Sequence, residues 1–201
     1  MNRMLIIAVL SMFSQNIALA EGSVAAGEQK SVTCAACHGA DGNSVNPAWP
    51  RLAGQNQRYL VEQLEGFKEG ERQDPLMTPQ AMMLSAQDMA DLAAFYESQE
   101  SGHGEADPAL VPLGQKIYRA GVVEEAIIPA CYACHGPNGR GVAPAGYPSL
   151  GGQHAVYIEA QLRAFRSGAR RTDADQQMRN VAARLSDEEI IAVASYLQGL
   201  H

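Results

Sequence analysis

The chain has four cysteines, and all of them fall in two five-residue groups that end in histidine. These are Cys34-Ala-Ala-Cys37-His38 and Cys131-Tyr-Ala-Cys134-His135. Two thiols three positions apart suit addition across the two vinyl groups of one porphyrin. The adjacent imidazole then meets the iron from the proximal side, which makes the pentapeptide an attachment pattern for c-type haem. This reading gives two covalent haem c groups, with thioethers at Cys34, Cys37, Cys131 and Cys134 and iron on His38 and His135. Other uses of paired cysteines fit less well. Zinc ribbons usually separate their pairs by about 15–20 residues, whereas these pairs lie far apart, each in its own repeat. A thioredoxin-like dithiol needs a βαβ pattern around it, and none is visible. Disulfides fit an exported protein but leave a histidine after both pairs unexplained.

Histidine fills one axial position of each iron; the other falls to methionine, histidine or lysine, or stays open. The second half of the chain offers one methionine, Met178, eight residues before Ser186. Eight residues before the matching Ser85 stands Met77. Met82 and Met83 fall opposite Ala183 and Arg184, which cannot play the same part. The repeat therefore nominates Met77 and Met178, with Met82 or Met83 as the alternative in the first half. Thioether ligation stabilises ferrous iron and raises the reduction potential. The remaining histidines are expected at the surface: His103 in a linker, His154 at a helix start and His201 at the chain end.

The elements around these residues are duplicated. His38-Gly-Ala-Asp-Gly42 matches His135-Gly-Pro-Asn-Gly139, and Pro47 to Gln55 matches Pro144 to Gln153 with one inserted residue. Tyr59, Gln63, Leu64, Phe67 and Gly70 then pair with Tyr157, Gln161, Leu162, Phe165 and Gly168. Two copies are too few for a stacked array, so this is a duplicated domain. Each copy reads as all-α. Helix-compatible segments, Ser23 to Thr33 and Pro108 to Ala120, precede the haem motifs. Leu60, Leu64 and Phe67 recur at helical spacing, as do Ile158, Leu162 and Phe165, which predicts middle helices over about 55–69 and 153–167. Ser85-Ala-Gln-Asp88 and Ser186-Asp-Glu-Glu189 resemble capping boxes that open the last helices. No stretch alternates with period two, and Ser98 to Gly114 reads as a linker. A domain of this size has a marginal core, which a buried porphyrin would complete.

Residues 1–20 have the parts of a secretory signal: Arg3, an apolar run from Leu5 to Phe13, and Ala18-Leu19-Ala20 as a cleavage site. The run is shorter than the roughly 20 residues a spanning helix needs. The expected layout is therefore a signal at 1–20 and two haem domains at 21–105 and 106–201. The whole chain carries a net charge of −7, which argues against nucleic acid as a partner. Residues 21–105 hold 13 acidic and 5 basic side chains, whereas 106–201 hold 9 of each. Such asymmetry can orient a molecule in encounters. Arg163, Arg166 and Arg170 follow i, i+3, i+7 spacing beside Arg171, which predicts a solvated face, a partner for a haem propionate across the domain interface, or a basic face that docks an anionic partner.

Tandem Cys-x-x-Cys-His units, a Pro-x-Leu-(Gly/Ala)-Gly-Gln loop after each, and the terminal Tyr-Leu-Gln-Gly-Leu-His resemble the bacterial dihaem cytochrome c4 family across the whole mature chain. The resemblance implies two tandem class I cytochrome c folds, each with a His/Met iron. It also implies a periplasmic carrier of single electrons, taken from respiratory-chain donors such as a quinol-oxidising complex and passed to a terminal oxidase. Peripheral contact with the membrane surface stays open. In class I folds a proline carbonyl accepts the Nδ1–H of the proximal histidine; Pro50 and Pro148 hold that place. Leu52 and Leu150 are expected to pack on the haems, and Trp49, Tyr59, Tyr147 and Tyr157 to donate to propionates or fill the core. One departure is the segment between Gly70 and Met77, which is shorter than expected. A carrier with both axial sites filled turns over no substrate. A dihaem peroxidase or a gas-binding protein would need one open or labile iron.

Overall fold

The structure, a computed structural model, describes residues 21–122 and 127–201. The expected export signal at 1–20 lies outside the described residues. The first unit contains α1 (Val24–Lys30), α2 (Ala35–His38), α3 (Gln57–Glu69), α4 (Met77–Met82) and α5 (Ala86–Glu97). The second repeats that order as α6 (Val111–Ala120), α7 (Tyr132–His135), α8 (Ala155–Ser167), α9 (Gln177–Ala182) and α10 (Asp187–Gln198). No β-strand occurs among the described residues. Two isolated antiparallel bridges, Val122 with Ile128 and Val142 with Tyr147, fasten loops of the second unit.

Each unit closes by crossing its first helix over its last. The crossings are backbone to backbone, and glycine permits them. A Cβ on Gly27 would stand 2.0 Å from the Asp91 carbonyl oxygen; one on Gly114 would stand 2.3 Å from that of Ala192. Gly114 therefore lies inside α6, so the linker ends earlier than its composition indicates. The last helices start where both capping boxes predicted. Ser85 Oγ accepts from Asp88 N at 3.1 Å while Asp88 Oδ2 accepts from Ser85 N at 2.9 Å. Ser186 and Glu189 repeat the exchange at 3.2 and 2.7 Å. Two otherwise orphaned N–H groups are satisfied at each start.

The middle helices α3 and α8 begin two residues later than the periodicity placed them, because Gln55 and Gln153 are used elsewhere. They end at Gly70 and Gly168, both left-handed (φ 80° and 74°). Their apolar stripes enter two separate cores. Leu60 joins Leu92, Ala93, Phe95 and Tyr96 in the first unit, with Cys34 and Leu52 at its margin. The second core is larger and includes Ile117, Tyr118, Ile158, Leu162, Ile190 and Val193, with Cys131, Leu150 and Met178 packed against it.

The two units meet through equivalent residues, so the junction has approximate two-fold symmetry. Arg72 donates to Gln63 Oε1 (3.0 Å) and, across the junction, to Tyr157 Oη (2.9 Å) and Gln161 Oε1 (3.0 Å). Arg170 donates to Gln161 Oε1 (2.9 Å), Tyr59 Oη (2.8 Å) and Gln63 Oε1 (2.7 Å). Each guanidinium also stacks 4.5 Å from the ring centre of its own unit's phenylalanine, Phe67 or Phe165. This corrects the basic docking face. Arg170 is buried because α8 has ended at Gly168, and the reversed chain carries it away from the helix face. Arg163 pairs with Glu159 (2.9 Å) and Asp187 (2.7 Å), and Arg166 with Asp187 (2.6 Å). His154 is likewise buried at the junction, with Nε2 2.9 Å from the Ser44 carbonyl oxygen, and not at the surface.

Candidate haem sites

Each Cys-x-x-Cys-His group is one turn of helix. His38 N donates to Cys34 O and His135 N to Cys131 O, both at 2.9 Å. Spacings of three and four residues therefore put both thiols and the imidazole on one side of that turn. Gly39 (φ 82°) and Gly136 (φ 77°) then stop α2 and α7, so the chain leaves immediately after the histidine. None of the four cysteines is in a disulfide. Burial pushes the Cys131 thiol up to about 11. Among the described residues no three His, Cys, Asp or Glu side chains converge on a possible metal position.

Both histidines are buried, 5% and 6% exposed. His38 Nδ1 lies 2.9 Å from Pro50 O, and His135 Nδ1 lies 3.0 Å from Pro148 O. A carbonyl only accepts, so Nδ1 carries the proton and the Nε2 lone pair is left to bind a metal. Burial holds both rings below the usual imidazole range, against the opposing pull of the prolyl carbonyls. The loop that carries each proline is tied down twice. Leu52 N and Ala53 N donate to Gly42 O, and Leu150 N and Gly151 N donate to Gly139 O. Gly42 is left-handed (φ 84°), and a Cβ there would stand 2.7 Å from the Tyr96 ring.

Met77 opens α4, and Met178 is the second residue of α9; both side chains are half-buried. Asp74 Oδ1 fixes the start of α4 by accepting from Leu76 N and Met77 N at 2.8 and 2.9 Å. Asp173 performs the matching task, accepting from Arg179 N (2.9 Å) and Arg179 Nε (2.7 Å). Met82 and Met83 are 64% and 79% exposed, at the far end of α4. The approach to Met178 is three residues longer than that to Met77. It also contains Asp175 (φ 52°) and Gln176 (φ 58°), two non-glycine residues in left-handed conformation. Tyr59 and Tyr157 accept from the junction arginines, and Tyr147 Oη lies 3.2 Å from Gln177 Oε1.

These surroundings suit a porphyrin. Each motif's histidine is neutral with Nε2 available, its thiols are unpaired, and an apolar core lies beside its first cysteine. Tyr96 Oη and Arg51 Nε are buried without a hydrogen-bond partner, so polar atoms remain for a further group. Comparison with known proteins gives the same answer. The cytochrome c family model matches residues 24–100 and 111–201. Cytochrome c4 of Pseudomonas aeruginosa is 48% identical over the full length of both chains.

This chain belongs to the cytochrome c4 family. The crystal structure of reduced recombinant cytochrome c4 from Pseudomonas stutzeri superposes with a TM-score of 0.87 at 47% identity, covering 90% of this chain and all of that one. A further relative, named thiosulfate dehydrogenase electron acceptor, from Stutzerimonas stutzeri, is 41% identical over 82% of this chain and 77% of its own. As a cytochrome c4 the chain is a dihaem electron carrier, with two covalently bound haem c groups served by its four cysteines. The Gln55, Gln153, Arg72 and Arg170 contacts across the junction were not read from the sequence. Their signal was present in the repeat, since each of these polar residues has an equivalent at the matching position.

Proposed function

We propose that His38 and Met77 bind the first iron and His135 and Met178 the second, with thioethers at Cys34, Cys37, Cys131 and Cys134. Pro50 and Pro148 orient the proximal rings. The reading rests chiefly on one observation. In both units a buried histidine spends Nδ1 on a prolyl carbonyl, and a half-buried methionine stands at the same place relative to the last helix. The haems supply one-electron ferric–ferrous chemistry. The chain fixes the proximal rings through the Pro50 and Pro148 carbonyls, and Met77 and Met178 would supply sulfur to the irons. With both axial positions filled the protein exchanges electrons and turns over no substrate of its own.

The domains divide in the linker just ahead of residues 105 and 106: Gly102 N donates to Asn43 of the first unit, whereas Gly104 N and Asp107 N donate to Gln198 and Ser195 of the second. The carrier works in the periplasm after removal of residues 1–20, and no described helix is long and apolar enough to cross a membrane. Electrons come from a quinol-oxidising complex and leave to a terminal oxidase. The relative named as an acceptor for thiosulfate dehydrogenase favours a second donor of that kind. Stopped-flow mixing of the oxidised holoprotein with each purified donor, then of the reduced form with oxidase-containing membranes, tests the sequence. Fast oxidation by the membranes supports it; turnover of added peroxide without a partner contradicts it.

A further inference from the structure

The peptide that holds each proximal histidine is also gripped by the opposite unit. In the first unit His38 Nδ1 donates to Pro50 O at 2.9 Å. The same peptide group ends in Arg51 N–H, which donates across the junction to Gln153 Oε1 at 2.8 Å. Gln153 Nε2 returns a bond to Arg51 O at 2.9 Å. The second unit repeats the arrangement. His135 Nδ1 donates to Pro148 O (3.0 Å), Ser149 N donates to Gln55 Oε1 (2.7 Å), and Gln55 Nε2 donates to Ser149 O (2.9 Å). Both glutamines are buried, 6% and 7% exposed. Their amide orientation is fixed, because each Oε1 also accepts a backbone N–H of the following residue, Asn56 N at 3.0 Å or His154 N at 3.1 Å. Reversing either amide would set NH2 against two N–H donors.

We propose that Gln153 tunes the first haem and Gln55 tunes the second, each acting across the domain junction on the proximal histidine of the other unit. They are positioning residues, and the inference rests on His38 and His135 being the axial ligands. The physics lies in peptide resonance, which joins C=O and N–H in one conjugated group. An acceptor on the N–H shifts charge toward the carbonyl oxygen, and hydrogen bonds in series strengthen one another by roughly 10–30% each. A stronger acceptor at Nδ1–H makes the imidazole a better donor to iron and favours the ferric state. The glutamine therefore lowers the potential of the haem in the opposite unit.

The test uses the dihaem holoprotein with Gln153→Leu, Gln55→Leu and the gentler Gln153→Asn, which keeps an amide but draws it back by one methylene. Film voltammetry gives the two potentials, and the hyperfine-shifted ring signals of His38 and His135 in the ferric spectrum assign each one. Gln153→Leu should raise the first haem alone, increasing its ferrous-to-ferric ratio at fixed applied potential by about two- to threefold. Gln55→Leu should raise the second haem alone, and Gln153→Asn should match Gln153→Leu in direction with a smaller change. Equal movement of both haems in one variant, movement only of the haem in the mutated unit, or no movement would overturn the proposal. Should Gln153→Leu fail to retain both haems, Gln153→Asn decides by the same criteria. Absence of hyperfine-shifted His38 and His135 signals in the unmodified protein would refute the ligand assignment itself, a separate failure.

Discussion

At the scale of single residues, the distal ligands are where repeat and geometry bear most directly on each other. Met178→Ala should lower the potential of the second haem and remove about half of the methionine–iron charge-transfer band at the red edge of the ferric spectrum, because thioether sulfur favours ferrous iron. Met77→Ala should do the same for the first haem, while Met82→Ala and Met83→Ala, at exposed positions, leave the band intact. Loss of the band in Met82→Ala or Met83→Ala would reverse the assignment. The spacing of the cysteines and histidines follows from covalent chemistry, and the place of Pro50 and Pro148 follows from the family resemblance. His154 was not, since its partner, Ser44, lies 110 positions away and nothing local marks it as buried. Tyr59 and Tyr157 were expected at propionates or in the core, and their partnership with Arg170 and Arg72 depends likewise on contacts between units.

At the scale of elements, helix starts were legible because a capping box is local chemistry, whereas helix faces beyond a terminus were not. The i+7 arithmetic that placed Arg170 beside Arg163 assumes a helix continuing past Gly168, and the left-handed glycine ends it. The helix crossings lead to two predictions. Gly114→Ala puts a methyl against the Ala192 carbonyl and the Tyr196 Cβ. It should cost the second unit about 1–3 kcal/mol, the usual penalty for overpacking, as measured by chemical denaturation of the holoprotein. The first unit has an ionic tie at its helix crossing. Lys30 Nζ reaches Asp88 at 2.7 Å and Asp91 at 2.5 Å, where the second unit has Ala192 opposite Gly114. Hydrogen bonding from Lys30, with help from Ser23 and Gln87, holds the Asp91 carboxyl at about 2, below its ordinary 3.8. A carboxyl depressed in the folded state stabilises above its unfolded value and loses that contribution as it protonates. Stability of the first unit should therefore fall between about pH 4 and pH 2. Thermal melts of Asp91→Asn should show a flatter slope across that window; an unchanged slope would rule out the tie as the cause.

At the scale of the whole molecule, duplication explains both the similarity of the two haem sites and the form of their junction. Equivalent glutamines, arginines and tyrosines meet across an approximate two-fold, which lets one set of sequence changes serve both sides. Charge breaks that symmetry. The first unit is strongly acidic and the second balanced, and the arginines on α8 are already occupied by Glu159 and Asp187. Long-range steering would thus come mainly from the first unit. The fold class and the number of haems were legible from the repeat; the junction was not, because docking of two units depends on surfaces that periodicity within each unit does not describe. The central claim is that both irons are closed by protein ligands and each carries one electron. Coulometric reduction of the holoprotein under carbon monoxide, followed optically, tests it in one experiment. The account predicts two electrons per chain and no carbon monoxide adduct at either haem; uptake of one electron, or an adduct at either haem, would contradict it.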